Sequence, residues 1–467
     1  MKTFNRRDAL TAGLMGIGFA GLRAAATGLP AWFLANPRKA SAQDMTCAIT
    51  TMGKTQFLVV SASSAGDAIS CNAPGTYDAA AIIHPTQAEF VKASIKLGSN
   101  TVNGAAIWGP VVTGGVGALA QATLDRTNFF HHITGGLVHG DHPKVMRLMG
   151  ATTGGEMWPS IYAKHLFKCL GTVQAEPVAV GTGGNSLEAI SFSGRTLSTV
   201  SPTQLKQLLT GSATDPVVKL RKLRDATLDS LNAMFKKDGT KEQLAFLDAM
   251  AASQGQVREL AASLATTLNA ITDDSVAGQA LAAAALIAAK VTPVVTLHIP
   301  FGADNHTDAG LYDEWFQHTD HDGSSTGVPG VQAVQDALSS LMLTDSATFA
   351  TMNVFGRDLS GTAKVSSRGG RDHFGNHSVM MMIGKNVAAG VTGGCTPISG
   401  SVYGASDIDS ATGASKASGG DIARADTHTA AAKTLGVALG IDASLLNADF
   451  VDNGMIKYVK GALNGVG

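Results

Sequence analysis

The stretch "KTQFLVVSASSAGD", residues 54–67, reads as a buried strand over Phe57 to Ser61 that runs straight into a loop of small residues. A second stretch of the same design, "VTPVVTLHIPFGADN", gives a strand over Val294 to Ile299 with its own polar loop. Further short apolar runs at 177–181, 349–356 and 378–384 read as strands, and "PTQAEFVKASIKLG" (85–98) and "GVQAVQDALSSLML" (330–343) read as amphipathic helices between them. Apolar strands alternating with helices imply a mostly parallel sheet covered on both faces. In such sheets the chemistry gathers in loops at the carboxyl ends of the strands.

The chain has 467 residues and is 45% hydrophobic, enough to bury a full core. Its start, "MKTFNRRDALTAGLMGIGFAGL", pairs Arg6 with Arg7 ahead of a weakly apolar run that stops at Arg23. That is the pattern of a twin-arginine export signal, and the run is too short and glycine-rich to span a bilayer. Ala40 and Ala42 in "PRKASAQ" predict cleavage after residue 42, hence a periplasmic or secreted protein with no transmembrane anchor left. Without residues 1–42 the chain carries 29 basic and 35 acidic residues, a surface unsuited to nucleic acid or anionic lipid. The four cysteines, Cys47, Cys71, Cys169 and Cys395, allow two disulfides in three pairings, with inert buried thiols as the alternative.

From about 201 to 290 the pattern turns wholly helical, with Val257, Leu260, Leu264, Leu268 and Ile271 on one face. Thr240 and Gln243 fit a capping box there. This section reads as a helical insertion in an α/β domain covering 43–467. Residues 399–421, rich in Gly, Ser and Ala, read as a mobile loop.

Several loops gather acids and histidines. "SSAGDAISCNAPGTY" presents Asp67, with Ser63, Ser64 and Cys71 as candidate nucleophiles. "FGADNHTDAG" presents Asp304, His306 and Asp308. "GGRDHFGNHSVMMMIGKNVAAGVTGG" (369–394) presents Asp372, His373 and His377. Carboxylates and imidazoles delivered by several strand ends to one rim match the preferences of a divalent metal, which would acidify water or polarise a phosphoryl or sulfuryl oxygen. The plain alternative is that such Asp residues close Asx turns or cap helices. A fourth cluster, "NFFHHITGGLVHGDHPKVMRLMG", carries His131, His132, His139, Asp141 and His142 and could supply a ligand or a general acid. "DEWFQHTDHDG" (313–323) reads as a solvated loop. Gly-rich "VAVGTGGN" lacks the order of a dinucleotide or Walker loop, and no G-x-S-x-G elbow is present.

The leader, "FLVVSASSAGDAISCNAPGTY", "GADNHTD", "NVFGRD" and above all the 369–394 stretch resemble a bacterial family of exported proteins of unknown function related to the sulfatases and alkaline phosphatases. The resemblance spans most of residues 55–395. It implies a three-layer αβα sandwich in which Asp67 corresponds to an early carboxylate, Asp304 and His306 to a middle pair, and Asp372 and His373, with His377 beside them, to a late group. These would hold one or two divalent metal ions, with zinc, manganese, iron and calcium undistinguished, and Arg357 would serve as an oxyanion partner. The chain departs from that family at Asn353 and Val354, which stand in place of a Thr-Glu pair, and no Ser or Thr directly follows Asp67. The expectation is thus a hydrolase of phosphate or sulfate esters, small or polymeric. The alternative is a non-catalytic envelope protein that binds a protein partner on a degenerate hydrolase scaffold.

Overall fold

A computed structural model describes residues 55–110, 117–181, 186–210, 264–301, 310–320, 325–359, 370–400, 402–452 and 454–465, with single positions at 47 and within 230–244 and 304–308. The expected leader, the expected capping box at Thr240 and the end of the 178–185 glycine stretch lie outside these residues. Two compact units divide the chain. One comprises residues 1–45 and 202–273, where the helices Pro202–Thr210 and Ala265–Ala270 are joined by Lys206 Nζ, which donates to the carbonyls of Asn269 and Ile271. The other, residues 46–201 and 274–467, holds all the described strands.

In chain order the strands are β1 (Phe57–Ser63), β2 (Lys92–Leu97), β3 (Asn100–Ala105), β4 (Thr127–His132), β5 (Val178–Val180), β6 (Ser191–Phe192), β7 (Arg195–Thr196), β8 (Thr199–Val200) and β9 (Val294–Leu297). After them come β10 (Ala347–Asn353), β11 (Gly356–Arg357), β12 (His373–Phe374), β13 (Ser378–Ile383), β14 (Gly390–Thr392), β15 (Cys395–Ser399), β16 (Val402–Ala405), β17 (Asp407–Ile408) and β18 (Ser415–Lys416). Eight form the central sheet in the order β14-β4-β13-β10-β1-β9-β5-β8. All its pairings are parallel except the two made by β13, which runs against both β10 and β4. The fold is therefore mixed α/β with a large, mainly parallel sheet.

Period-two alternation sorts the strand side chains between the faces. Leu58, Val60, Phe130, Ala350, Met352, Met380 and Met382 share one core with Trp158, Tyr162, Leu166 and Leu435. Two helices supply the latter group, α1 (Trp158–Leu170) and a later one, Thr427–Ala438. Val59, Phe129, Phe349 and Met381, one residue out of step, are equally buried and point to the other face, where Trp108 meets Phe129 edge-on at 5.2 Å. The helix α2 (Val276–Ala288) packs on β9 and on α3 (Gly327–Ser340), whose Val328, Val331, Val334 and Leu338 recur at three- and four-residue steps. Thus the last helix of the expected helical section belongs with the sheet. Helices so disposed are compatible with an α/β sandwich. No described helix is long and apolar enough to cross a membrane.

Three expectations are corrected. The 85–98 helix is instead a short 3-10 turn, Ala88–Phe90, followed by the β2–β3 hairpin. Ile95 and Leu97 are buried while Lys92, Ser94 and Lys96 are exposed, a period of two, and Gly98 takes φ +59° in the two-residue turn. The loop at 399–421 contains β16, β17 and β18, and with Ile422 just beyond it sends Ile408 into the main core. Polar side chains fix its backbone: Asp409 Oδ1 accepts from the amides of Ala411 and Thr412, and Asp421 Oδ1 from Ser410. Residues 313–318 are helical with His318 fully buried, while His321 and Asp322 lie outside the described residues. Of the cysteines, Cys47 and Cys169 form a disulfide and Cys71 and Cys395 remain thiols.

Candidate metal centre

The reversed strand explains how distant loops meet. β1, β4, β9 and β10 point the same way, so their carboxyl ends define one rim. β13 runs against them, so the residues ahead of it, Asp372 to Phe374, stand at that rim as well. Pairing of β11 with β12 then sets Arg357 opposite His373.

Three imidazoles turn their Nε2 atoms inward on the Asp304 carboxylate. His306 Nε2 lies 3.0 Å and His373 Nε2 3.1 Å from Oδ1, and His139 Nε2 lies 3.3 Å from Oδ2. His306 and His373 are themselves 3.0 Å apart, Nε2 to Nε2. His139, Asp304 and His373 each offer one ligand atom, all within 4.8 Å of one another.

The outward nitrogens are held just as definitely. His139 Nδ1 contacts the Ser64 carbonyl at 2.7 Å, His373 Nδ1 the Leu137 carbonyl at 2.8 Å, and His306 Nδ1 the Asp372 carboxylate at 2.8 Å. Carbonyls and carboxylates only accept, so each Nδ1 carries a proton, and each ring when neutral presents a bare Nε2 lone pair. Lone pairs facing one another and a carboxylate repel unless a cation, proton or metal, lies among them. A ring fixed through Nδ1 by a carbonyl or carboxylate is also the usual support of a metal-ligating histidine. These donors are nitrogen and oxygen, which zinc, manganese and iron all accept.

Arg357 fastens the centre from behind. Its side chain is buried; Nε donates to the Gly66 carbonyl at 2.7 Å, and Nη2 to Ala65 at 2.9 Å and Asp304 Oδ1 at 3.0 Å. Burial raises the Asp304 pKa, but a hydrogen bond from His373 when that ring is charged, together with the hydrogen bond and charge of Arg357, outweighs it and holds the carboxyl well below the usual range. Gly66 is at φ +71° with the Phe355 ring where a Cβ would stand, so the loop after β1 passes directly over that ring. Phe355 in turn stacks on His373 at 4.1 Å. Asp304 is about half exposed, 49%, so the group opens to solvent.

Of the residues expected at the site, Asp304, His306, Asp372, His373 and Arg357 come together, joined by His139 from the fourth cluster. Asp67 takes another place: Oδ1 accepts from Ser63 Oγ at 3.0 Å and Oδ2 is buried with no hydrogen-bond partner. Burial pushes its pKa up to about 6. His377 joins His131 and Cys395 instead. Asp308 caps, accepting from the amides of Gly310 and Asp313. Cys71 is buried, its thiol pushed up to about 12 by desolvation, which makes it a poor nucleophile. Asn353 and Val354, at the end of β10 and just after it, are both buried.

Glu188 was not legible as a site residue. It accepts from the amide and hydroxyl of Ser64 at 2.8 and 3.0 Å and lines a cleft of about 470 Å³ with Ala65, Gln279, Thr296, His298 and Thr326. Through Ser64, whose carbonyl orients His139, the cleft and the imidazole group share one loop. The chain matches no protein-family model and no curated protein.

Proposed function

We propose that the protein is an exported, metal-dependent hydrolase of phosphate or sulfate esters on an alkaline phosphatase- or sulfatase-like αβα sandwich. The observation that carries this reading is the convergence of three acceptor-backed Nε2 atoms on Asp304 at the solvent-facing rim of a mainly parallel sheet. His139, Asp304, His306 and His373 would hold a divalent cation, and Asp372 would orient His306. Such a cation would polarise a phosphoryl or sulfuryl oxygen and neutralise charge as the ester is cleaved. Arg357 keeps Asp304 ionised and aimed at the imidazoles, and Phe355 holds the His373 ring in plane by stacking. The Asp304 carboxylate is exposed enough for an anionic group to approach. A single cation suits the donor set better than two, since Asn353 and Val354 offer no second carboxylate and Asp67 is engaged by Ser63.

The test is elemental analysis of the mature protein with Asp304→Ala and His373→Ala variants, paired with turnover of aryl phosphate and aryl sulfate. Stoichiometric metal lost in both variants together with turnover is expected. Metal content unchanged in both overturns the assignment, and metal without turnover of either ester leaves a binding protein.

A further inference from the structure

A second group of ligand-type side chains lies under the rim, with no member in common with the first. His131 Nδ1 and His377 Nε2 are 2.9 Å apart, Cys395 Sγ is 3.0 Å from His377 Nε2 and 3.8 Å from His131 Nδ1. All three atoms fall within 4.8 Å of one another. The scaffold is rigid: His131 is in β4, His377 immediately precedes β13, which pairs with β4, and Cys395 opens β15. Both histidines are fully buried and Cys395 is half-buried.

Proton placement leaves the trio unresolved without a cation. His131 Nε2 contacts the Pro74 carbonyl at 2.9 Å, so that nitrogen carries the proton and Nδ1 is a bare lone pair. Gly75 permits this approach, because a Cβ there would stand 2.9 Å from His131 Nε2. If His377 carries its proton on Nε2, it satisfies His131 but leaves its Nδ1 lone pair buried and unpartnered. If the proton sits on Nδ1, a buried N–H has no acceptor and two bare nitrogens face each other at 2.9 Å. Either tautomer leaves a polar atom unmatched in the interior, which costs about 1–3 kcal/mol.

We propose that His131, His377 and Cys395 form a buried site for a thiophilic metal ion, zinc or copper(I), separate from the rim centre. Two imidazole nitrogens and one sulfur are the donors such ions select, whereas the nitrogen and oxygen set at the rim suits harder cations. Binding replaces the thiol proton, which leaves to solvent, and the backing of His131 by Pro74 is the outer support expected of a ligating imidazole. At this position the ion would tie β15 to β4 and β13, so its role is to lock the sheet edge beneath the rim.

The probe is cobalt(II) titrated into the demetallated full mature chain, with zinc competition. A thiolate-to-cobalt absorption band in the near ultraviolet, displaced by zinc, is expected for the parent and for Asp304→Ala. Cys395→Ser should abolish the band while leaving circular dichroism unchanged. As a check that does not depend on a variant folding, alkylation of Cys395 in the native parent, read by peptide mass spectrometry, should slow at least tenfold when zinc is added. A band that survives Cys395→Ser, an alkylation rate indifferent to zinc, or a Cys71–Cys395 disulfide in the native protein overturns the site. Because Asp304→Ala removes only the rim centre, failure here and failure of the hydrolase reading are distinguishable.

Discussion

Arg357 Nη2 sits 3.0 Å from Asp304 Oδ1 while the same guanidinium holds the carbonyls of Ala65 and Gly66, so one buried fork links the loop after β1 to the loop after β9. A lysine supplies the charge but a single point donor, and cannot span those acceptors. Arg357→Lys is expected to destabilise the α/β unit by about 2–3 kcal/mol, since buried carbonyls lose their donors. Denaturant midpoints of parent and variant measure this; a shift below about 0.5 kcal/mol would show that the fork is ornamental to stability.

Asp372 supplies no ligand atom to the group defined by His139, Asp304 and His373, yet its carboxylate backs His306 Nδ1 at 2.8 Å. Removing such a backing group lowers metal affinity about 10–100-fold while leaving the ligands in place. Asp372→Asn should therefore weaken metal binding by that factor in a chelator competition, with stability changed by less than about 1 kcal/mol because the pair is partly exposed. Unchanged affinity would remove Asp372 from the centre.

Much of this centre could be read from the chain because most contributors flank a strand. Asp304 and His306 follow the "VVTL" strand, Asp372 and His373 precede "SVMMMI", and Arg357 follows "ATFATMN". What could not be read was direction. Only the antiparallel course of β13 brings its leading residues to the rim, and periodicity carries no information on pairing sense. His377 belongs to the same motif as His373, but the turn at Gly375 and Asn376 sends it beneath the rim to His131 and Cys395. Those partners lie far off in sequence, and no local spacing announces them. His139 was one of four histidines in a cluster, and the β4 strand that aims it was hidden by the polar pair His131 and His132, both buried. The β2–β3 hairpin is hard to read because Ala88, Val91 and Ile95, at steps of three and four, fit a helical face, while Ile95 and Leu97 fit an alternating strand.

Asp67 makes stability depend on pH in a definite sense. Its folded pKa is about 6 against an ordinary 3.8, so between those values the folded state binds more protons than the unfolded state. Stability from this group is thus greatest at and below about pH 4 and falls as the pH rises through 6. At about 1.4 kcal/mol per unit the loss is on the order of 3 kcal/mol. Asp67→Asn keeps an acceptor for Ser63 and removes the ionisation, so the variant should gain on the parent when unfolding at pH 7.5 is compared with pH 4.5. Equal pH dependence in the two proteins would place a stable charge, such as a metal-bound carboxylate, at Asp67.

The Cys47–Cys169 bridge closes a loop with a sequence separation of 122 residues and staples the segment ahead of β1 to the end of α1. A cross-link of that span restricts the unfolded chain by about 2–5 kcal/mol. Reduction, or the double Cys47→Ala, Cys169→Ala variant, should lower the unfolding midpoint accordingly, the two treatments agreeing because Cys71 and Cys395 are already thiols. Thiol counts in denaturant with chelator give the covalent half of the test: two before reduction and four after it are expected. Zero before reduction would mean that Cys71 and Cys395 are joined, and four would mean that the bridge is absent. In the second case, reduction would leave the midpoint where it was.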